Sequence, residues 1–496
     1  MKVKGRNILL TVMTLCLSLL FLFTIQPSHS ITTTTAYAAD NSLQRIKDRG
    51  KIIMATSPDY PPYEFQVSKH GKSQVVGMDV DIMKQVAKDL GVKLVVKSMS
   101  FSNVLVAVET GKADVAMSGI NPTPERRQSV DFSKIYYNGG QSFLINKTDA
   151  GKYTNKASLA HKIIGAQTGT LQYNLAKSKI PGAKVKGMDK NTDLVLALKT
   201  HKIDALGIET PSAEAYVKND PDLKMIKSGY NLNKNDTGSA MALKKGSGTL
   251  VAAINKSITK IKAKGLPNQY LAQAGKYMKV NTHNTSMMHY WTYFAKGIEY
   301  TLIISAISVI FGVLLGTILA LMRFSKSKLL HAISIAYVEF VRGTPLMVQV
   351  MFVYFGIGIV VNLPALLSGI IAVSLNSGAY VEEIIRGGIN SVDKGQTEAS
   401  ASLGLAKTDT MRFVVLPQAL KNIWPALGNE FVSLIKESSI VSIIGVTDLI
   451  YQLNIVRADT YRGVMPVFVA MIIYFVMTFI LTRVLNYFEG RMKHAK

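Results

Sequence analysis

Four polar residues stand inside otherwise apolar stretches in the C-terminal half of this 496-residue sequence: Asn376, Tyr380, Glu383 and Glu430. Polar groups in a hydrocarbon setting are costly unless they are paired or line a path for a solute. Each is therefore a translocation-path candidate or a helix-to-helix contact, and the sequence leaves both readings open. Other chemistries lack their motifs. The GKS at 71–73 has the ending of a phosphate-binding loop, but Gln66 stands where glycine is required. This chain is therefore not expected to hydrolyse ATP. The single cysteine, Cys16, lies in the first apolar run, which argues against a disulfide or thiolate metal framework. His283 and His289 are isolated in a polar stretch, and no metal site is expected there. No catalytic triad, metal cluster or carboxylate pair stands out, so an enzyme is not expected.

The elements around these residues divide the chain. Hydrophobic residues make up 48% of the sequence, and the mean hydropathy is +0.20. The apolar residues concentrate at the N-terminus and after Ile298. Lys2, Lys4 and Arg6, an apolar core over 8–25 and the small residues of AYA at 36–38 form a signal-peptide pattern over 1–38, with cleavage expected after Ala38. Residues 41–280 alternate strand and helix patterns, with strands near 51–55, 94–97 and 113–117 and helices near 77–90 and 104–110. That alternation implies an α/β fold, whose ligands bind beyond the carboxyl ends of the strands. A polar linker follows over 281–290, and a membrane domain over 291–496.

Apolar runs at 298–322, about 338–360, 363–385, about 427–444 and 466–485 suggest five transmembrane helices. With the first span starting outside, Arg323, Lys326, Lys328, Lys407, Arg412, Lys421, Arg491 and Lys493 face the cytoplasm, as the positive-inside rule asks. The net charge of +25 fits such loops and a lysine-rich surface. No nucleic-acid-binding motif accompanies it.

Three groups of motifs resemble the amino-acid-binding family of periplasmic solute-binding proteins, family 3. They are SPDYPPYEF at 57–65 with VGMDVD at 76–81; SGINPTPERR at 118–127 with VDFS at 130–133; and QTGT at 167–170 with DALGIETP at 204–211. The resemblance implies a two-lobed periplasmic-binding-protein fold (type II), with a two-strand hinge closing on the ligand. Lobe one spans about 42–141 plus 237–280, and lobe two about 142–236.

The resemblance also implies a site for a zwitterion. Arg126 matches the family's carboxylate-binding arginine, whose planar fork fixes distance and angle through two charged hydrogen bonds. Gly119 and Thr170 would add backbone donors, with Thr168 beside them, and Asn121 replaces a more usual threonine. Glu209 stands where the family commonly has an aspartate for the α-ammonium; a helix-capping role is the alternative. Tyr60 and Phe101 would sandwich the ligand side chain. Asp59 would favour arginine, lysine or histidine if it faces the ligand; if it faces solvent, glutamine is equally suited.

In the membrane domain, EASASLG at 398–404 with VVLP at 414–417 resembles the EAA loop of ABC-importer permeases. The resemblance implies that Glu398, Ala399, Gly404, Leu416 and Pro417 build a coupling element, a helix–turn–helix broken at Pro417, that docks on a cytoplasmic ATPase. FVRGTPL at 340–346 and LNSGAYVEEI at 375–384 look like the polar-amino-acid branch of these permeases. The expected protein is a plasma-membrane importer subunit with its binding domain outside. It would bind no cofactor itself; a separate ATPase dimer would use ATP and Mg. It would pair as a homodimer. The rival is an amino-acid-gated, glutamate-receptor-like channel. That architecture inserts its pore within the binding domain, whereas here the binding pattern is complete before the first span.

Overall fold

The computed structural model describes residues 40–69, 72–233, 237–278, 286–460 and 464–494. The expected signal peptide with Cys16, and the linker residues up to His283, lie outside the described residues.

Two five-stranded sheets form the two lobes. In lobe one the order is Lys93–Ser98, Lys51–Thr56, Val115–Ala116, Ala242–Lys244 and Val130–Phe132. Ala242–Lys244 runs antiparallel to both its neighbours, and the other four strands share one direction. Lobe two repeats the plan with Lys184–Met188, Ile163–Gln167, Ala205–Glu209, Gln141–Asn146 and Leu223–Lys227. Parallel strands with helical crossovers are buried on both faces, so their sequences read as nearly continuous apolar runs. IIGAQ at 163–167 and ALGIE at 205–209 do so. The lobes are joined by two connecting segments that pair with each other: Tyr136 N donates to Ser239 O at 3.0 Å and Ser239 N to Tyr137 O at 2.8 Å. Their short antiparallel bridge is the hinge.

The C-terminal part is helical. Among the described residues, three helices are long and apolar enough to cross a membrane: 287–324, 365–390 and 464–490. Two further bent helix pairs bring the number to five if each is one span. The first two helices pack through small residues, with Gly312 against Ser377 and Gly316 against Val381. Close backbone approach of this kind holds helices together where lipid supplies no hydrophobic drive.

The second span is not the straight 338–360 segment expected. It is two helices, Lys328–Arg342 and a second beginning at Leu346, bent by 104°. Pro345 lacks an amide hydrogen and pushes Thr344 out of helical geometry. Gln349 repairs the break, its Nε2 donating to Val341 O at 2.7 Å and Thr344 Oγ1 at 2.8 Å. The fourth is also bent, by 56°, between 407–444 and 449–458.

The coupling segment differs at its second half. Helix Lys394–Ser402 ends in a turn at Gly404 with φ +79°, as expected. Pro417 does not break the chain, however. It lies just past the π-helical turn Thr410–Val415, and the helix runs on through Leu416–Glu437.

Candidate functional site

The cleft between the lobes gathers most of the expected ligand residues. Tyr60, Phe101, Gly119, Asn121, Arg126 and Thr170 line one cavity, with Ser118, Gln167, Gln172 and Asn191 beside them. They come from strand ends and helix starts, where an α/β sheet presents its side chains.

Arg126 lies in the short helix Pro124–Ser129. Its Nη1 donates to Asn121 O and its Nη2 to Gly169 O of lobe two, both at 2.9 Å. The guanidinium stands 5.9 Å from the centre of the Phe101 ring. Burial pushes its pKa down to about 10, so it stays charged at neutral pH. Thr170 caps helix Leu171–Lys179, its Oγ1 accepting from Tyr173 N at 3.3 Å. That places a helix start, with free amides and a positive dipole end, at the cleft opposite Arg126. Tyr60 is stacked on Tyr63 with centroids 5.3 Å apart. Its hydroxyl accepts from Glu209 N across the lobes at 3.1 Å. Gly119, with φ +55°, leaves room for the Tyr60 ring, which a Cβ there would crowd.

Glu209 is 1% exposed and sits one layer behind the cleft lining. Asn121 Nδ2 donates to its Oε1 at 3.3 Å. Burial raises its pKa to about 7, against the lowering effect of the nearby Tyr63 hydroxyl and Asn121 amide.

Three expected residues are engaged otherwise than the family pattern implied. Gly119 N donates to Asp79 Oδ2 at 3.1 Å, so that amide is committed within the protein and is no carboxylate donor. Thr168 is exposed and does not line the cavity. Asp59 is half-buried and does not line the cavity. Its Oδ2 accepts from Asn191 N at 2.8 Å, capping helix Asn191–Lys199 of lobe two. Burial raises its pKa to about 6.

A buried carboxyl pair went unread in the sequence. Glu64 and Asp79 are both 0% exposed. Ser118 Oγ donates to Glu64 at 2.7 Å, and Tyr136 OH to Asp79 at 2.7 Å. Burial, with the charge of the nearby Asp79 adding to it, pushes the Glu64 carboxyl well above the usual carboxylate range. Both residues lie in the motifs quoted above, but nothing in their spacing of fifteen residues announces a pair.

In the membrane domain, Asn376 Nδ2 donates to Gln349 Oε1 at 3.1 Å. It therefore supports the side chain that bridges the bend. Glu383 is paired with Arg386 at 2.7 Å and with Arg342 at 3.3 Å. Arg342 lies over the Tyr380 ring at 5.4 Å. Glu430, on helix Leu416–Glu437, is partly buried beside Ser377. On the coupling segment Glu398, Ala399 and Gly404 are exposed, Leu416 is 39% exposed, and the neighbouring Leu403 is 82% exposed. Among the described residues there is no cluster of three or more potential metal ligands.

Residues 52–275 match the bacterial extracellular solute-binding proteins, family 3. Residues 312–494 match the binding-protein-dependent transport system inner membrane component. The arginine transport system permease protein ArtQ of Bacillus subtilis is 42% identical over 206 residues, 40% of this chain and 91% of that protein. The glutamine transport system permease protein GlnP of Escherichia coli is 33% identical over 201 residues, 40% of this chain and 92% of that protein. An L-arginine-bound amino acid ABC transporter substrate-binding protein from Streptococcus pneumoniae is 39% identical, covering 47% of this chain and 98% of that one with a TM-score of 0.46. With both matches in one polypeptide, the chain belongs to the binding-protein-dependent transport permeases, multi-pass membrane subunits of ABC importers, and carries its own family-3 solute-binding domain ahead of the membrane helices.

Proposed function

We propose that the chain captures a polar amino acid, of the glutamine or the arginine, histidine and lysine type, in its outward-facing cleft and moves it inward. It works as the fused binding and permease subunit of an ATP-driven importer. The carrying observation is the junction in one chain of a solute-binding domain over 52–275 and a transport permease over 312–494. Relatives of the permease part are named for glutamine and arginine transport.

Arg126 and the start of helix Leu171–Lys179 offer opposite donors for an α-carboxylate. Tyr60 and Phe101 offer aromatic walls. Glu209, behind Asn121, is the acceptor nearest to hand for an α-ammonium. The exposed coupling segment around Glu398 offers a surface for a separate ATPase dimer, which uses ATP and Mg. Two copies of this chain would enclose the path, each with a binding domain outside the cell. The glutamate-receptor-like channel is the weaker reading, because such a channel gives no role to a coupling loop.

The test is calorimetric titration of the full chain in lipid nanodiscs with each of the twenty amino acids. Saturable binding of one or a few polar amino acids is expected. Binding of none overturns amino-acid recognition and moves the search to other small solutes.

A further inference from the structure

The binding domain is seated on its own permease, and the two lobes are held in different ways. Lobe one and the permease share one continuous apolar cluster. Val104, Ala107 and Val108 of helix Phe101–Glu109 belong to it together with Val353, Val441 and Ile444 of the membrane part. The backbones also touch. Gly445 has φ +84°, and a Cβ there would collide with the carbonyl oxygen of Ser98. The carbonyl oxygen of Ile443 accepts from Ser100 N at 3.3 Å and from Asn103 Nδ2 at 3.0 Å.

Lys112 adds a deeper anchor. It is 2% exposed although it is a lysine on the surface of a lobe. Its Nζ donates to Leu363 O at 3.1 Å and Asn362 Oδ1 at 3.3 Å, and lies 5.0 Å from the Tyr354 ring centre. Gly358 leaves the space that its side chain fills. None of these partners belongs to lobe two, so none of them depends on whether the cleft is closed.

Lobe two meets the permease through a charge. Arg457, 7% exposed, pairs with Asp193 at 2.5 Å. Asp193 lies in the first turn of helix Asn191–Lys199. The same turn is held to lobe one by Asp59 on Asn191 N. Cleft closure and the Arg457 contact are thus registered on one turn of one helix.

We propose that lobe one is a standing seat, kept on the permease with or without ligand, and that lobe two alone swings. Closure delivers Asp193 to Arg457, and this ion pair is how the permease reads an occupied cleft. Arg457 is a positioning residue. When the cleft opens, Arg457 and Asp193 part, and what the pair contributes to docking is lost with them. Docking of lobe two and closure on ligand therefore favour each other, and reciprocity requires that Arg457 also tighten ligand binding. This inference rests on the importer reading for its ligand.

The test uses the full chain in nanodiscs with Cys16→Ser, which removes the sequence's only cysteine. One cysteine pair, Ser100→Cys with Ser442→Cys, reports the seat. A second, Thr192→Cys with Ala458→Cys, reports lobe two and leaves Arg457 and Asp193 intact. A short bismaleimide joins each pair, with and without glutamine or arginine, while calorimetry on the same sample records binding.

The seat pair should link equally in both states. The lobe-two pair should link several-fold more with ligand, and Arg457→Ala should remove that increment. Arg457→Asp should weaken ligand binding on the order of fivefold, and Arg457→Asp with Asp193→Arg should restore it. Loss of the seat link without ligand overturns the standing seat. A lobe-two link indifferent to a ligand that calorimetry shows bound overturns the reading by Arg457. Absence of calorimetric binding overturns the amino-acid reading together with ligand-driven closure, and the ligand-free seat link still decides the seat.

Discussion

Arg126 of lobe one donates to the carbonyl oxygen of Gly169 in lobe two at 2.9 Å, while its other terminal nitrogen holds Asn121 O at the same distance. The fork thus spans the cleft and is fixed by backbone on both sides. The Asn121 contact, made within lobe one, orients the guanidinium before any ligand carboxylate arrives, which lowers the ordering cost of binding.

Arg126→Ala should therefore weaken amino-acid binding by on the order of 3 kcal/mol, roughly a hundredfold, since it removes one side of a buried charged pair. Arg126→Lys should recover little of this, because an ammonium lacks the planar fork. Calorimetry on the full chain checks both. Near-normal affinity in the alanine variant removes Arg126 from the site.

The buried carboxyls predict a pH dependence. Glu209 is raised from 4.5 to about 7 by burial, and Asp59 and Asp79 from 3.8 to about 6. The folded domain then holds protons that the unfolded chain has released. This stability is fully present below the unfolded pKa values and is lost as pH rises through the folded ones. The unfolding temperature of the ligand-free binding domain should fall between about pH 5 and pH 8. Glu209→Gln should flatten the upper part of that fall, worth about 3 kcal/mol. A melting temperature that rises with pH over this range would contradict the assignment.

Gly445→Ala should separate binding from uptake. The new Cβ meets Ser98 O at a position that also needs a left-handed backbone. Overpacking of this kind costs about 1–3 kcal/mol, so uptake should drop by roughly tenfold or more. Ligand affinity should stay within a few-fold of wild type. Parallel measurement of uptake in vesicles and of binding decides it; equal losses in both would mean that the variant disturbs the domain itself.

On the inner side, Glu398→Lys should leave binding unchanged and reduce ligand-stimulated ATPase activity and uptake by about tenfold or more, as for an interface hot spot. Glu398 is exposed on helix Lys394–Ser402, so misfolding is not the expected cause. Unchanged uptake would sink the coupling role.

The sequence made some of this legible and hid the rest for physical reasons. The strand at Lys51–Thr56 and the helix at Met78–Leu90 follow from local apolar patterning, and both were expected within a residue or two. Tyr60, Asn121, Arg126 and Thr170 could be placed in one cleft because their motifs are contiguous strings. Asp59 could not be oriented. Its partner, Asn191 N, lies 132 residues away in the other lobe, and no local pattern encodes such a contact. The Glu64–Asp79 pair was hidden for the same reason. The bend after Arg342 was legible in principle from Gly343 and Pro345, but its hydropathy reads as one run. Hydropathy integrates composition over a span and is blind to direction. The seat residues Asn103, Lys112 and Arg457 are ordinary polar residues in sequence, and only the fold brings them opposite their partners.

The buried Lys112 has a consequence for how fast the importer can work. A free-standing receptor must find its permease by diffusion, so its delivery rate scales with its own abundance. With Lys112 held under Leu363 O and over Tyr354, the encounter is made once, when the chain folds. Each later turnover is then first order in occupied transporters. Extra copies of the binding domain in the medium could intercept solute, but could neither take the resident's place nor speed its delivery.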